Sequence, residues 1–388
     1  MRILVYTTLF PNSVNPQHGI FVETRLRELV ARHDIDARVV APVPWFPSPN
    51  PRFGQYAAFA RVPAREERHG LTVEHPNYLV LPKVGMHIAP RLLALGSAAA
   101  IRHVRQSGFD FDFIDAHYLY PDGVAAARIA RRLDRPLVLT ARGSDVNVIG
   151  HYPSALARML AAADVAQAII AVSSALRTKM ISLGFDERKI VVLRNGVDMS
   201  RFVLPAGEPD RFGLPSELRL IGFVGNLVPV KGVDLILEAL REMPGAGLVV
   251  AGDGALRTAL QRKAQELGVA ERTRFLGRLA QPDLVRLYGA IECLLLASHS
   301  EGWPNVLLEA MACGTPVAVV PIPGMEEIVA GPVAGAIALR RQPAALANAV
   351  REVLGRGLPR ASVRRYAAGY SWEATAAGLN ELFTRIVK

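Results

Sequence analysis

Cysteine occurs only twice in this 388-residue chain, at Cys293 and Cys313. The two fit neither a disulfide framework nor a metal-ligand spacing, so both are expected in the core of a protein from a reduced, cytoplasmic setting. No apolar run reaches the roughly 18–20 residues that cross a bilayer, which argues against a spanning helix. The opening MRILVYTTLFP is broken by Pro11 too early for a secretory signal and reads as a first buried strand. Repeats and low-complexity tracts are missing. So are HExxH and any Cys/His cluster, and no metal is expected. Aromatic residues make up 7% of the chain, with no stacking platform beside the basic charge, so nucleic acid is not an expected partner.

What is present describes a folded, two-domain protein. Hydrophobic residues account for 51% and charged residues for 21%, and 388 residues exceed one ordinary core. The net charge of +10 is uneven. Residues 1–200 hold 24 Lys and Arg against 17 Asp and Glu, while the remainder holds 21 against 18. An excess of that sign suits an anionic partner. The stretch Pro90 to Arg105 combines apolar faces with Arg91, Arg102, His103 and Arg105. It reads either as contact with the inner membrane surface or as a packed helix with a solvated basic side.

Strand-like runs alternate with helical ones: RILVY, ARVVAP, FDFIDA, PLVLTA, AIIAVS and KIVVLR, then LRLIGFVG, GLVVAG, TRFLG, CLLLAS and PVAVV. This alternation predicts an α/β fold of two doubly wound, Rossmann-like parallel sheets, with the site in a cleft between them. The expected domains are residues 1–200, 201–370 and a C-terminal helix over 371–388. The polar, Pro-rich run from Met199 to Glu217 reads as a linker. Residues 40–82, rich in Pro and aromatics around Trp45, read as a long loop lining the first domain.

The most informative segment is residues 298–319, SHSEGWPNVLLEAMACGTPVAV. Pro304 and Asn305 mark a helix start and Gly314 its stop, and TPVAVV reads as a buried strand. Glu309 then lies about one turn into the helix, leaning back toward the loop that holds Glu301. The unsatisfied N–H groups of the first helical turn, around Pro304, Asn305 and Val306, lie nearby. Carboxylates bind hydroxyl pairs and a helix N-terminus binds phosphate, so this element can hold a nucleotide sugar. Earlier, GFVGNLVPVKG places Asn226 and Lys231 between a strand and a helix, where phosphate would sit, although the spacing is not that of a P-loop. Two motifs mislead. GLVVAGDGALR has Arg257 where a dinucleotide fingerprint needs its third glycine, and Asp110 and Asp112 precede a strand, at the wrong end of a sheet for binding. In the first half, Gly19 precedes a helix and can face backbone donors to a ligand, while His117 ends a buried strand. TARGSDVN ends another, and its Arg142 and Asp145 can pair with each other or reach substrate.

These strings resemble glycosyltransferase family 4, whose E-x7-E motif is matched by Glu301 and Glu309 within EGWPNVLLEAMACGTPV, with LRNGVDMSRF, GNLVPVKG, FLGRL and SWEATAAGL in support. The resemblance implies a GT-B fold, a retaining transfer from a nucleoside-diphosphate sugar (UDP- or GDP-linked) and no further cofactor. By matching position, Glu309 is expected on the ribose hydroxyls, Lys231 on the diphosphate, Glu301 on the donor sugar and His117 facing the anomeric centre. The family usually has arginine where this chain has Asn226; Arg278, Arg194 or Arg142 are the candidates to replace that charge. The resemblance also implies that the last helix returns to the first domain. A narrower similarity, to teichuronic acid type enzymes, implies a carbohydrate or lipid-linked acceptor in envelope polysaccharide assembly. Alternatives are a nucleotide-sugar epimerase or hydrolase on the same architecture, or a non-catalytic envelope-assembly subunit.

Overall fold

The structure is a computed structural model that describes residues 1–81 and 85–387. The chain divides into two compact units, Met1–Asn195 with Glu373–Lys388, and Gly196–Trp372. The strands of the first unit are β1 (Arg2–Tyr6), β2 (Asp36–Val40), β3 (Val43–Pro44), β4 (Arg65–Arg68), β5 (Leu71–Glu74), β6 (Asn77–Tyr78), β7 (Phe113–His117), β8 (Leu137–Ala141), β9 (Ala168–Ala171) and β10 (Ile190–Val192). Between them run α1 (Ile20–Arg32), α2 (Gln55–Phe59), α3 (Gly85–Gln106), α4 (Val124–Leu133), α5 (Ser144–Asn147), α6 (Pro153–Val165) and α7 (Ser174–Ser182). The second unit holds β11 (Arg219–Val224), β12 (Ala246–Ala251), β13 (Thr273–Gly277), β14 (Cys293–Leu296), β15 (Val317–Val319) and β16 (Gly335–Ile337). Its helices are α8 (Val233–Arg241), α9 (Arg257–Glu266), α10 (Gln281–Ala290), α11 (Asn305–Ala312), α12 (Met325–Ile328), α13 (Pro343–Gly355) and α14 (Arg360–Ala367), followed by the terminal α15 (Trp372–Val387).

The first sheet has the order β10-β9-β8-β7-β1-β2-β5-β4, the second β13-β12-β11-β14-β15-β16. Every pairing is parallel except that of β4 with β5. Strands covered on both faces read as unbroken apolar runs, which is why Ile3, Leu4, Val5 and Tyr6 are all fully buried. Both sheets also reverse direction near the middle. In the first, the chain leaves β1 for β2 on one side and returns to β7 on the other; in the second, β11 is followed by β12 on one side and later by β14 on the other. At such a switch point the loops after the two central strands diverge and leave room for a ligand.

Residues 40–81 are not one long loop, and residue 82 of that expected loop lies outside the described residues. Arg65–Arg68 and Leu71–Glu74 form a hairpin, and β5 joins β2 in the main sheet. His69 and Gly70 both have positive φ, 50° and 81°, as a two-residue hairpin turn requires. The strand signal was weak because β4 is a polar edge strand, REER, and only Leu71, Thr72 and Val73 of the hairpin are buried. The run from Met199 to Glu217 is not a free linker either. Phe202 and Leu214 are buried, and the Arg364 guanidinium bonds the carbonyls of Met199 and Phe202, holding the segment within the second unit.

In the first unit α15 contributes Leu379, Leu382 and Phe383 to the same apolar cluster as Ile3, Val5 and Phe113, with the Phe113 and Phe383 rings 4.8 Å apart. Of the described residues, no helix is long and apolar enough to cross a membrane. Removing a fully buried aromatic ring leaves a cavity, so Phe383→Ala is expected to destabilise the first unit by about 3–5 kcal/mol in urea unfolding. A loss below about 1 kcal/mol would mean that α15 is not part of this core.

Candidate active site

In the second unit the site is assembled where β11 and β14 diverge. After β11 the chain makes a short 3-10 turn, Pro229–Lys231, and enters α8 through Gly232 at φ 64°. A Cβ at Gly232 would lie 2.1 Å from the Ala297 carbonyl oxygen, so the two strand-end loops touch only because residue 232 is glycine. The His299 N–H donates to the Val230 carbonyl at 2.8 Å and locks the same approach. Lys231 Nζ is thereby placed 2.6 Å from Glu301 Oε1, which also accepts from the Ser298 hydroxyl at 2.6 Å. The pair stays accessible to a ligand, with the lysine side chain 25% exposed and the glutamate 10%.

Glu309 is the fifth residue of α11 and has a different partner. The Tyr288 hydroxyl donates to its Oε2 at 2.8 Å. Burial pushes the Glu309 carboxyl up to about 7, against the opposing pull of that hydroxyl and of the Arg201 guanidinium. Pro304 caps α11 and has no N–H to give, so the donors of the first turn are those of Asn305 and Val306 rather than of all three residues. Asn226 is exposed just beyond β11, and Arg278 is exposed just beyond β13.

Gly252 and Gly254 serve packing. A Cβ on Gly252 would meet the Gly225 carbonyl oxygen at 1.8 Å and one on Gly254 the Leu227 carbonyl oxygen at 2.5 Å, so they let the loops after β11 and β12 lie against each other. Asp110 is exposed and paired with Arg135 and Arg105, and Asp112 accepts from the Arg2 N–H.

The first unit builds its polar edge in the equivalent place. Gly19, at φ 69°, begins α1, and a Cβ there would lie 2.3 Å from the Leu9 carbonyl group. Buried Asp122 accepts from the Thr8 N–H, and from the Thr8 hydroxyl at 3.2 Å, tying the loop after β1 to the turn after β7. Burial pushes its carboxyl up to about 7. His117, at the end of β7, is only 2% exposed. An Arg142 guanidinium N–H lies 2.7 Å from its Nδ1, and Nε2 is 3.3 Å from Asp115 Oδ2. Burial, reinforced by the Arg142 and Arg25 cations against Asp115, lowers the His117 imidazole to about 4. The ring is therefore neutral at pH 7, and donation from Arg142 to Nδ1 leaves its proton on Nε2.

Arg142 does not reach Asp145 with its guanidinium. It binds His117 and Asn195 and lies over the Phe21 ring at 5.0 Å, while the Asp145 carboxylate takes backbone N–H groups from Leu119, Arg142, Gly143 and Val146. Arg194 donates to the Ser174 hydroxyl at 3.0 Å.

Two family models divide the chain between them: "Glycosyltransferase Family 4" matches residues 19–201 and "Glycosyl transferases group 1" residues 208–370. Over 339 residues the chain is 32% identical to TuaC of Bacillus subtilis, a glycosyltransferase assigned to teichuronic acid biosynthesis, covering 84% of this chain and 83% of the relative. The chain belongs to the glycosyltransferases. A D-inositol 3-phosphate glycosyltransferase of Geodermatophilus obscurus is 30% identical over 355 residues, 83% of this chain and 77% of that one. The Anabaena protein Alr3699/HepE, solved with UDP and glucose, superposes with a TM-score of 0.74 at 21% identity, covering 99% of this chain and 100% of that chain. That likeness shows the GT-B fold.

Three residues of this glycosyltransferase's second unit escaped the sequence reading. Tyr288 and Ser298 hold the two glutamates, and Arg341 donates from Nε to the Ala297 carbonyl at 3.2 Å. The buried Arg341 Nη2 has no hydrogen-bond partner and stands 2.6 Å from where a Gly232 Cβ would be. Tyr288 could have been sought as a polar handle on α10, but nothing in sequence spacing ties residue 341 to residue 232. Among the described residues no group of three or more His, Cys, Asp or Glu is arranged to hold a metal ion.

Because the folded His117 resists protonation down to about 4 while the unfolded chain takes up that proton near the ordinary 6.5, the stability of the first unit falls as pH drops through this window. Wild type is expected to lose about 2 kcal/mol more than His117→Gln between about pH 7 and pH 5 in urea titrations. Parallel pH profiles for the two proteins would show that His117 is not held neutral.

Proposed function

We propose that this glycosyltransferase moves a sugar from a UDP- or GDP-linked donor to a carbohydrate or lipid-linked acceptor in envelope or exopolysaccharide synthesis, with retention at the anomeric carbon and without a metal. Its working place is the cytoplasm, at the membrane face. The observation that carries the reading is the Lys231–Glu301 pair at the β11/β14 switch point, beside the first turn of α11 and its Glu309. The relatives support it in kind: one is assigned to teichuronic acid biosynthesis, and the Anabaena structure holds UDP and glucose.

The chemistry follows from charge. Without ligand, Lys231 is neutralised by Glu301. A diphosphate carries more negative charge than one carboxylate, so it competes for Lys231 and releases Glu301 Oε1 to accept sugar hydroxyls. As the glycosidic bond breaks, charge builds on the departing β-phosphate, where Lys231 and the Asn305 and Val306 amides stabilise it. Arg341, against Gly232, supplies the second cation that the resemblance places at position 226, where this chain has Asn226. Glu309, ionised, takes the ribose hydroxyl pair on the oxygen sites that Tyr288 leaves open. In the first unit, the Gly19 amide is the proposed donor, and the neutral His117 is a positioning residue whose Nε2–H faces Asp115 while its Nδ1 accepts from Arg142. No protein nucleophile is invoked; the leaving phosphate itself meets the positive character of the sugar.

Lys231→Ala is expected to lower turnover about a hundredfold to a thousandfold while retaining the wild-type melting temperature. Turnover close to wild type would remove Lys231 from the mechanism. Thermal shift against a panel of UDP and GDP sugars identifies the donor, since only a ligand of the native state raises the midpoint. The shift should grow as pH rises through about 7, where Glu309 ionises, and this pH dependence should vanish in Glu309→Gln. A pH-independent shift in wild type would mean that the carboxylate does not hold the ribose.

A further inference from the structure

The seam between α3 and α4 has no part in the chemistry above, yet it is densely cationic. Neither helix contains an acidic residue, whereas together they carry Arg91, Arg102, Arg105, Arg128, Arg131 and Arg132. Along the seam lies an open trough of about 780 Å³, which shares Arg91 and Arg128 with a neighbouring hollow of about 410 Å³. Its floor is apolar: Ala98, Ile101 and Ile129 line it together with Leu95, which is 68% exposed. A leucine so exposed beside a hollow of this size is an apolar surface without a partner in the chain.

The rim has the opposite character. Arg91, Arg102, Arg128 and Arg132 are exposed, and among the described residues none of the four is paired with a carboxylate. Among the described residues the one carboxylate lining the trough, Asp110, is already engaged by Arg105 at 3.4 Å and by Arg135 at 2.6 Å. Four guanidinium groups around an apolar floor fit a ligand that joins an anionic head to a hydrocarbon tail. Arginine suits this edge because its stem lies on the apolar wall while its planar head reaches a phosphate with two parallel N–H donors. Free phosphate and nucleic acid match the rim but leave the floor unused.

We infer that the α3–α4 trough is a docking site for an anionic membrane phospholipid, with the phosphate on the arginine rim and part of an acyl chain on the Leu95 floor. The inference deepens the proposed function by naming the surface on which the enzyme meets its membrane, and it rests on that reading for location only. The donor assignment plays no part in it. Docking here would hold the first unit against the leaflet where a lipid-linked acceptor resides.

Flotation of the full-length protein with vesicles tests the inference. Wild type is expected to float with vesicles of phosphatidylcholine mixed equally with phosphatidylglycerol and to stay behind with phosphatidylcholine alone, with binding that weakens as salt rises. The double substitution Arg128→Gln with Arg132→Gln removes two rim charges and should lower binding roughly tenfold or more. Leu95→Ser should lower it several-fold. Both variants should keep the wild-type melting temperature and nucleotide-sugar shift.

Failure of wild type to bind the anionic vesicles, equal binding to neutral ones, or unchanged binding by the arginine variant would overturn the inference. So would unchanged binding by Leu95→Ser, which would reduce the trough to surface charge. Release by inorganic phosphate beyond that caused by chloride at equal ionic strength would identify a free-phosphate site instead. A wild type that floats but shows no shift with any nucleotide sugar would remove the donor reading and leave the lipid site standing.

Discussion

The second unit's site depends on one close approach, the backbone of Gly232 against the Ala297 carbonyl. Two strand-end loops of a parallel sheet normally diverge at the switch point, and side chains on each would then face empty space. Here the missing Cβ lets them touch, and the His299 N–H to Val230 bond closes the contact. As a result a lysine and a glutamate separated by seventy residues stand 2.6 Å apart. Arg341 reinforces the junction by bonding the same Ala297 carbonyl, so the cations at Lys231 and Arg341 converge on one loop.

The first unit solves a harder electrostatic problem. Arg25, Asp115 and His117 are buried beside the half-buried Arg142, and the three guanidinium nitrogens of Arg25 find no hydrogen-bond partner. A buried charge costs several kcal/mol when it stands alone, so the group must be compensated through space. Burial raises the Asp115 carboxyl, but contact with His117 and the Arg25 and Arg142 cations outweighs it and holds Asp115 below the usual range. The histidine between them stays neutral. Asp122 and Asp145 bind the surrounding loops through backbone N–H groups, which spares those amides from burial without a partner.

Much of this was legible because buried parallel strands and amphipathic helices write their periods directly into the chain. RILVY, FDFIDA and CLLLAS became β1, β7 and β14, and the start and stop signals around Pro304 and Gly314 bracket α11. The β4–β5 hairpin was illegible because an edge strand needs no apolar alternation; REER is held by pairing with its neighbour and not by burial of its side chains. The run after Met199 misled for the converse reason. Its composition is that of a linker, but two apolar anchors, Phe202 and Leu214, are enough to seat it.

By itself the sequence determined the alternating α/β architecture and the residue types able to meet a nucleotide sugar: two glutamates eight positions apart on a loop and a helix, and a lysine in a strand-to-helix turn. These are local matters, decided by periodicity and by chemistry within a turn or two of the chain. Only the tertiary structure decided which of those groups touch. Strand order brings the loop after β11 beside the loop after β14, pairs Lys231 with Glu301 and leaves Glu309 to Tyr288. It also encloses His117 between Arg142 and Asp115 and sets the arginines of α3 and α4 around one trough. Those contacts join residues far apart in the chain, and a linear pattern carries no distance between them.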